Sequence, residues 1–171
     1  NIVSFSEDFG IKTEGSRNSI LNNKISHNGA SGIFLCGEKT TLKNNKMIGN
    51  GIRIGSIRFR EWYYHKIDLS NTVNGKPVYY LQNKSDVSIP SGAGQIILFN
   101  CSGIDIEGQN LNNGSVGIQI GNSDNIIIND NNISSNNQYG VHITISENIT
   151  VSKNKVLFNN QGVILERTTH S

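Results

Sequence analysis

Two carboxylates, Asp124 and Glu147, have a spacing that would suit glycoside hydrolysis. Each opens a run of this chain in which apolar and polar residues alternate. Glycoside hydrolysis needs two carboxyl groups about 5 to 9 Å apart. If the two runs are neighbouring strands in one register, the two carboxylates lie about one strand spacing apart. They are therefore candidate catalytic residues, and a solvated pair without a catalytic role is the alternative.

The segment "RFREWYYHK" is the candidate ligand surface. It contains the only Trp of the chain and two adjacent Tyr residues. If the segment is extended, at least one aromatic side chain must point outward, where it can stack on a sugar ring. The candidate ligand-binding residues are Arg58, Arg60, Trp62, Tyr64 and His65. The alternative is that the aromatic residues cover the core or pack on an adjoining domain.

Metal ligands do not cluster along the sequence. Calcium needs six to eight oxygen ligands, whereas Asp105, Glu107 and Asp130 are scattered and suit turns. Copper needs His, Met or Cys side chains placed together, but the four His, one Met and two Cys residues are dispersed. We interpret Cys36 and Cys101 as two separate buried thiols. We expect no metal site and no resident cofactor, and calcium enters only if the protein is a lyase.

Charge excludes some classes of partner. The net charge is +2 and only 16% of residues are charged, so no strong field favours nucleic acid or an acidic membrane. No apolar run approaches the roughly 20 residues that span a bilayer. We therefore expect neither nucleic-acid binding nor membrane insertion. The chain begins at Asn1 rather than Met, which indicates a processed or excised protein.

Composition favours strands over helices. The chain has 26 Asn, 25 Ile and only 2 Ala residues. Ala is the best helix former, and Ile suits the pleated surface of a strand. We therefore expect an all-β protein; a disordered, Asn-rich chain is the rival interpretation.

The elements that position these residues belong to an internal repeat with a period of roughly 22 residues, which is typical of stacked-repeat proteins. Segments that start at Ile104, Ile126 and Ile149 align at this period to within one residue, and Gly10 falls one period before Gly32. A unit of such short strands cannot bury its own apolar side chains, so it must stack on copies of itself. The sequence predicts a single-stranded parallel β-helix with one repeat per coil. Its aligned Ile columns fill the interior.

Asn residues recur at the same positions of successive repeats. Asn and Gly tolerate left-handed backbone geometry, and stacked Asn side chains can hydrogen-bond in a ladder. We predict one ladder from Asn23 and Asn45, and another from Gln109, Asn131 and Asn154. The residues that point outward form mixed columns rather than an acidic metal ladder; they are Lys12, Phe34, Gln119, His142 and Ile164, and then Glu14, Cys36, Gly121, Thr144 and Glu166.

The centre of the chain departs from the repeat. We predict a single β-helix domain over residues 1–171, with regular coils at 1–54 and 96–167 and irregular or enlarged coils with a loop at 55–95. Asn74-Gly75 is a common turn dipeptide, so we expect a hairpin or loop there. Neither end carries an obvious polar cap, which suggests a segment of a longer protein.

The blocks "NTVNGKPVYYLQN", "IPSGAGQIILFNCSGIDIEGQNL" and "GIQIGNSDNIIINDNNISSNN" resemble the right-handed parallel β-helix repeats of archaeal, especially methanogen, cell-surface proteins. These repeats are grouped with the pectin-lyase-like carbohydrate-binding and sugar-hydrolase class, and with the NosD-like periplasmic copper-binding family linked to nitrous oxide reductase maturation. The resemblance covers nearly the whole chain. It implies the fold, an extracellular or cell-surface location, and a surface glycan or neighbouring surface protein as partner.

The residues and the resemblance together favour a non-catalytic structural or adhesive module that binds carbohydrate along its side. A polysaccharide lyase or glycoside hydrolase is the alternative function. A copper-binding maturation factor is a further alternative that depends on the resemblance alone.

Overall fold

The protein is a right-handed parallel β-helix of about 7 turns, as the sequence predicts. The structure is a computed structural model that describes residues 1–55 and 59–170. These residues contain 21 strands and a short 3-10 helix at Phe59–Trp62. No helix in these two ranges has the length and apolarity to cross a lipid bilayer. The all-β class is thus confirmed.

Ten strands build what we call the first solenoid. Three sheets form its walls, one from β1, β4, β7 and β10, one from β2, β5 and β8, and one from β3, β6 and β9. The strands are β1 (Ile2–Ser4), β2 (Phe9–Glu14), β3 (Ser19–Leu21), β4 (Lys24–Ser26), β5 (Ser31–Cys36), β6 (Thr41–Lys43), β7 (Lys46–Ile48), β8 (Ile52–Ile54), β9 (Lys66–Ile67) and β10 (Thr72–Val73).

Eleven strands build the second solenoid. Its walls are β11-β12-β15-β18-β21, β13-β16-β19 and β14-β17-β20. The strands are β11 (Lys76–Gln82), β12 (Gln95–Phe99), β13 (Ser102–Glu107), β14 (Asn110–Asn112), β15 (Val116–Gly121), β16 (Asp124–Asn129), β17 (Asn132–Ser134), β18 (Tyr139–Thr144), β19 (Glu147–Ser152), β20 (Lys155–Leu157) and β21 (Gln161–Glu166).

Like residues of successive coils lie directly above one another. Ile104 pairs with Ile126, and Ile126 pairs with Ile149, in the parallel register that the repeat predicts. In the first solenoid Ile20 pairs with Leu42. These columns are almost completely buried, and burying apolar area at about 25 cal/mol per Å² is the main force that holds the coils together.

Asparagine ladders join the coils at their corners. In the first solenoid Asn1, Asn23, Asn45 and Asn71 hydrogen-bond in sequence, each Nδ2 to the next Oδ1, at 2.8 to 3.0 Å. The predicted ladder is therefore present and longer than expected. In the second solenoid Asn131 Nδ2 donates to Asn154 Oδ1 at 2.9 Å, but only the backbone N–H of Gln109 reaches Asn131. The side chain of Gln109 instead donates to the carbonyl of Pro90.

The chain reverses direction between the two solenoids. β10 and β11 form the only antiparallel pair among the described strands, joined by a two-residue turn at Asn74-Gly75. Both residues have positive φ, 51° and 81°, as a type I′ turn requires. The hairpin predicted there is confirmed. The reversal places strands of both solenoids in one nine-stranded sheet, and we call the segment that contains it, residues 66–95, the joint. The single domain with irregular or enlarged coils and a loop at 55–95 stays a prediction.

Each solenoid end at the joint is covered. The outward face of β11 and β12 packs on the last coil of the first solenoid, where Val78, Ile97 and Phe99 join its core. Val87, Ile89 and Ala93, from the segment between β11 and β12, cover the first coil of the second solenoid. The joint therefore covers two β-helix ends that would otherwise be exposed to water.

Candidate functional site

The structure places Asp124 and Glu147 side by side, as predicted. They are register partners on β16 and β19, and both line a cavity of about 440 Å³ that also contains Arg167. Asp124 already accepts two hydrogen bonds, from Asn125 Nδ2 at 2.6 Å and from Asn148 Nδ2 at 2.9 Å. Both of its oxygens are thus engaged, which suits a turn carboxylate better than a proton donor. Their catalytic role remains a prediction.

The central aromatic residues do not form one exposed strip. Trp62 is 1% exposed and stacks on Phe99 with ring centroids 5.7 Å apart. Tyr64 is 58% exposed, and Lys39 Nζ lies 5.7 Å from its ring centroid. Arg58 and the side chain of Arg60 lie outside the described residues. The ring of Trp62 is therefore part of the core, whereas Tyr64 offers an aromatic face to solvent.

His65 is a structural residue with both ring nitrogens engaged. Its Nδ1 accepts the backbone N–H of Thr40 at 3.2 Å, so Nε2 carries the proton and donates to the carbonyl of Glu61 at 2.5 Å. Burial lowers the pKa of His65, and the two backbone hydrogen bonds only partly oppose this. Through these two hydrogen bonds His65 stabilises the turn after the short helix and links it to Thr40.

A basic groove lies beside His65, between the two solenoids. We call it the lysine groove and define it by Lys43, His65, Lys66, Tyr80, Gln82 and Lys84, which line a cavity of about 480 Å³. The three lysines are exposed and make no ion pair with any described residue. Among the residues that the structure describes, Asp68 is the only carboxylate that lines this cavity, and it accepts hydrogen bonds from Ser70. The groove therefore has an unbalanced positive charge.

The wall of the lysine groove is held in place by Tyr80. The Tyr80 hydroxyl lies 3.2 Å from both the Trp62 carbonyl and Gln82 Oε1. Burial raises the pKa of Tyr80, so the phenol keeps its proton and acts as a donor. Leu42, Ile67 and Leu81 add apolar surface to the cavity. The groove thus combines a partly apolar surface with exposed cationic side chains at its rim.

A second cluster locks the two solenoids together. Arg53 of β8 donates to Gln138 Oε1 at 3.2 Å and to the Tyr139 hydroxyl at 3.3 Å, and its guanidinium lies 5.0 Å from the ring centroid of Phe34. His142 is fully buried, stacks on Tyr139 and lies 3.3 Å from Glu166 Oε2. Burial lowers the pKa of His142, although Glu166 opposes this. Both terminal nitrogens of the Arg53 guanidinium thus already serve the fold.

The two cysteines are separate thiols, as predicted, but the prediction that both are buried is wrong for Cys36. Cys101 is buried and faces the carbonyls of Leu81 and Phe99, whereas Cys36 is only half-buried, because it lies on the outward side of β5. Burial raises the pKa of both thiols. Both therefore stay protonated at neutral pH.

Soft metal ligands stay apart in three dimensions. Met47 lies in the core, and His65 and His142 are engaged as described above. Within residues 1–55 and 59–170 no three His, Cys, Asp or Glu side chains form a group that could hold a metal ion. This includes a cavity of about 580 Å³, although Asp86, Asp105 and Glu107 line it.

Sequence reasoning missed the lysine groove because its residues come from strands that are neighbours only across the joint. Lys43 and Lys66 come from the first solenoid, whereas Tyr80, Gln82 and Lys84 follow the hairpin. One signal was available: the "NGKPVYYLQNK" block places the turn dipeptide before the strand that brings Tyr80 and Lys84 back to β9.

Comparison with known proteins identifies the family. The profile of the family described as periplasmic copper-binding protein (NosD) matches residues 67–171, more than half of the chain. No curated protein and no solved structure gives a significant match. The match spans the second solenoid, the part with the most regular coils. The dispersed His, Met and Cys residues do not fit a copper centre within the described parts of the chain. With its fold and this match, the chain belongs to the NosD family of β-helix proteins.

Proposed function

We propose that this protein is a non-catalytic surface module that binds an acidic glycan in the lysine groove. The observation that carries the proposal is the set of three exposed, unpaired lysines around one cavity between the solenoids. Uronate or sulfate groups of a glycan would meet Lys43, Lys66 and Lys84, and its hydroxyl groups would meet Gln82. The apolar surface of the groove suits the C–H faces of sugar rings.

The charge of the whole molecule supports a local site rather than general polyanion binding. Net charge is +2, so attraction to anions depends on where the lysines lie. Nucleic acid and membrane remain outside the proposal. The family is described as periplasmic, which supports a location outside the cytoplasm. We extend this to a cell-surface location, with glycan or a neighbouring surface protein as partner.

The test is titration calorimetry with polygalacturonate, and with dextran as the neutral counterpart. We expect binding of the acidic polymer that weakens as salt rises, because exposed charges are screened beyond about 10 Å at 0.1 M salt. Replacing Lys43, Lys66 and Lys84 together by Ala should weaken binding at least about tenfold. The matched control replaces Lys24, Lys46 and Lys155, which are exposed strand residues outside the groove.

Equal loss of affinity in the two triple variants would reject the groove as the site. Tighter binding to single-stranded DNA than to any acidic polysaccharide would reject the ligand class. Both outcomes can be measured with the same protein samples, and neither depends on enzyme activity.

Polysaccharide cleavage is the second candidate function, and the shared register of Asp124 and Glu147 in one cavity is the observation that favours it. A screen of acidic and neutral polysaccharides, with and without calcium, tests it. If the pair acts in cleavage, Asp124→Asn and Glu147→Gln each remove the activity found. Activity that survives both substitutions dismisses the pair.

A further inference from the structure

A second cavity lies at the other end of β11, and its lining differs from that of the lysine groove. We call it the amide groove and define it by His27, Ile48, Asn74, Asn110, Asn112 and Asn113. Its volume is about 540 Å³, within the range of about 300 to 1,000 Å³ that is typical of ligand sites. β11 begins at this groove and ends at the lysine groove, about 20 Å away at 3.3 Å per residue.

The walls of the amide groove are fixed by a side chain that joins the two solenoids. Asn74 Oδ1 accepts the backbone N–H of Gly49 at 3.0 Å, and Asn74 Nδ2 donates to the carbonyls of Asn112 and Asn113, both at 2.9 Å. Asn112 Oδ1 in turn accepts hydrogen bonds from Ser134. A groove held in this way is already organised for a ligand, which lowers the entropic cost of binding.

Other polar groups in the groove remain available. The ring nitrogens of His27 and the side-chain amide of Asn113 make no hydrogen bond with any described residue. Among the described residues of the lining Lys76 is the one Lys, Arg, Asp or Glu, and its ammonium already donates to the Asn110 carbonyl at 3.2 Å. No carboxylate of the described residues lines the cavity. The available groups are therefore donors and acceptors that match hydroxyl groups rather than ions.

One side of the groove is apolar. Ile48 is 56% exposed in the lining. Phe5, which is 78% exposed, stacks on His27 with ring centroids 5.6 Å apart and an interplanar angle of 10°. A pyranose ring has an apolar C–H face and an edge of hydroxyl groups, so it can contact such a wall and the opposite amides at once.

We propose that the amide groove binds a neutral oligosaccharide. This goes beyond the proposed function, because the ligand class and the residues both differ from those of the lysine groove. An extended peptide fits less well: β10 pairs with β7 and β11, and β11 pairs with β10 and β12, so these two strands offer no free edge for strand addition.

The test uses substitutions that the backbone tolerates. His27 and Asn113 have φ values of 53° and 55°, in the left-handed region that Gly adopts freely. Gly49, one coil above His27, already has a φ of 64° at the equivalent corner. His27→Gly and Asn113→Gly therefore remove the recognition groups without opposing the turn. Ser135→Gly is the matched control, because Ser135 is exposed, has a φ of 57° and does not line the groove.

The measurement is two-dimensional NMR of the intact chain titrated with neutral cello-, manno- and galacto-oligosaccharides. We expect at least one series to shift the amide signals of Gly49, Asn74 and Asn113. The His27→Gly, Asn113→Gly double variant should bind at least about tenfold more weakly, whereas Ser135→Gly should bind normally. Polygalacturonate binding should be unchanged in both variants, so failure here is distinguishable from failure of the lysine groove.

Three outcomes would overturn this inference. The first is that no neutral oligosaccharide shifts these signals. The second is that the double variant binds as tightly as the native protein, or that Ser135→Gly loses affinity equally. The third is that an extended, unglycosylated peptide shifts these signals while the sugars do not.

Discussion

The side-chain amide of Gln119 hydrogen-bonds both backbone groups of Ile54, accepting its N–H at 3.1 Å and donating to its carbonyl at 2.7 Å. Gln95 makes the same pair of bonds to Ile52. Its side-chain oxygen accepts the N–H of Ile52 at 2.9 Å, and its side-chain nitrogen donates to the Ile52 carbonyl at 2.5 Å. β8 is the edge strand of its sheet, so these backbone groups have no strand partner on that side. Two glutamines thus take the place of the next strand.

Replacing Gln119 by Leu should destabilise the protein by about 2 to 4 kcal/mol, because two buried backbone groups lose their partners. Gln95→Leu should have a similar effect. The measurement is urea denaturation followed by circular dichroism. Gln161→Leu, at an exposed position of β21, is the control and should change stability by less than about 0.5 kcal/mol. Equal losses at Gln119 and Gln161 would contradict the edge-pairing role.

The asparagine ladder predicts a second stability effect. Asn45 is fully buried, donates to Asn71 Oδ1 and to the Ile20 carbonyl, and accepts from Asn23 Nδ2. Asn45→Ala should cost about 3 kcal/mol or more, because it leaves several buried polar groups unpaired. Thermal unfolding measures this. Asn160→Ala, at an exposed position whose side chain makes no bond with the described residues, should be nearly neutral; a similar cost there would argue against the ladder.

Trp62 and Gly121 should be energetically coupled. A Cβ atom at Gly121 would lie 2.9 Å from Cε2 of Trp62, too close for a stable contact. Gly121→Ala should therefore cost about 1 to 3 kcal/mol in the native protein. It should cost much less in a Trp62→Ala background, where the ring is gone. A double-mutant cycle by urea denaturation tests this, and simple additivity of the two effects would show that the indole does not pack on Gly121.

Stability should fall in mild acid because of the buried histidines. Burial lowers the pKa of both His65 and His142 below 6.5 in the folded protein. The unfolded chain therefore binds protons more readily than the folded chain below about pH 6.5. The free energy of unfolding should be highest above that pH and should decrease by up to about 1.4 kcal/mol per pH unit for each histidine, until the folded-state pKa is reached.

His142→Gln isolates one of these contributions. Gln119 occupies the neighbouring register position, so the fold accepts Gln in this column, and Gln can still donate to Glu166. The variant should lose part of the acid dependence and keep most of its stability at pH 7.5. Denaturation curves between pH 5 and pH 8 measure the effect. If the free energy of unfolding of the variant decreases with falling pH as steeply as that of the native protein, groups other than His142 cause the loss of stability in acid.

The repeat made the walls of the fold predictable. The Ile spacings, the left-handed Asn corners and the Asn74-Gly75 turn each depend on a few neighbouring residues or on one repeat, so the sequence pattern shows them directly. The shared register of Asp124 and Glu147 follows from the same repeat.

The joint was not predictable in the same way, because it depends on contacts between residues far apart in sequence. Gln119 and Ile54 are 65 residues apart, and neither belongs to a recognised motif. The stretch "QIILF" did contain a signal: unbroken apolar residues indicate a strand buried on both faces, which β12 is. The sequence left open whether Trp62 faces solvent or the core, because Phe99 of β12, on which its ring stacks, lies far from it along the chain.

The antiparallel turn at Asn74-Gly75 also determines where coils can be added to the protein without changing the grooves. The two coil stacks meet at this turn, and both grooves lie beside it. Phe5 of the first coil also stacks on His27 of the amide groove, so turns added before the first coil or after the last coil are the changes in length that leave both grooves intact. By such additions, related proteins of different length would keep the same two grooves.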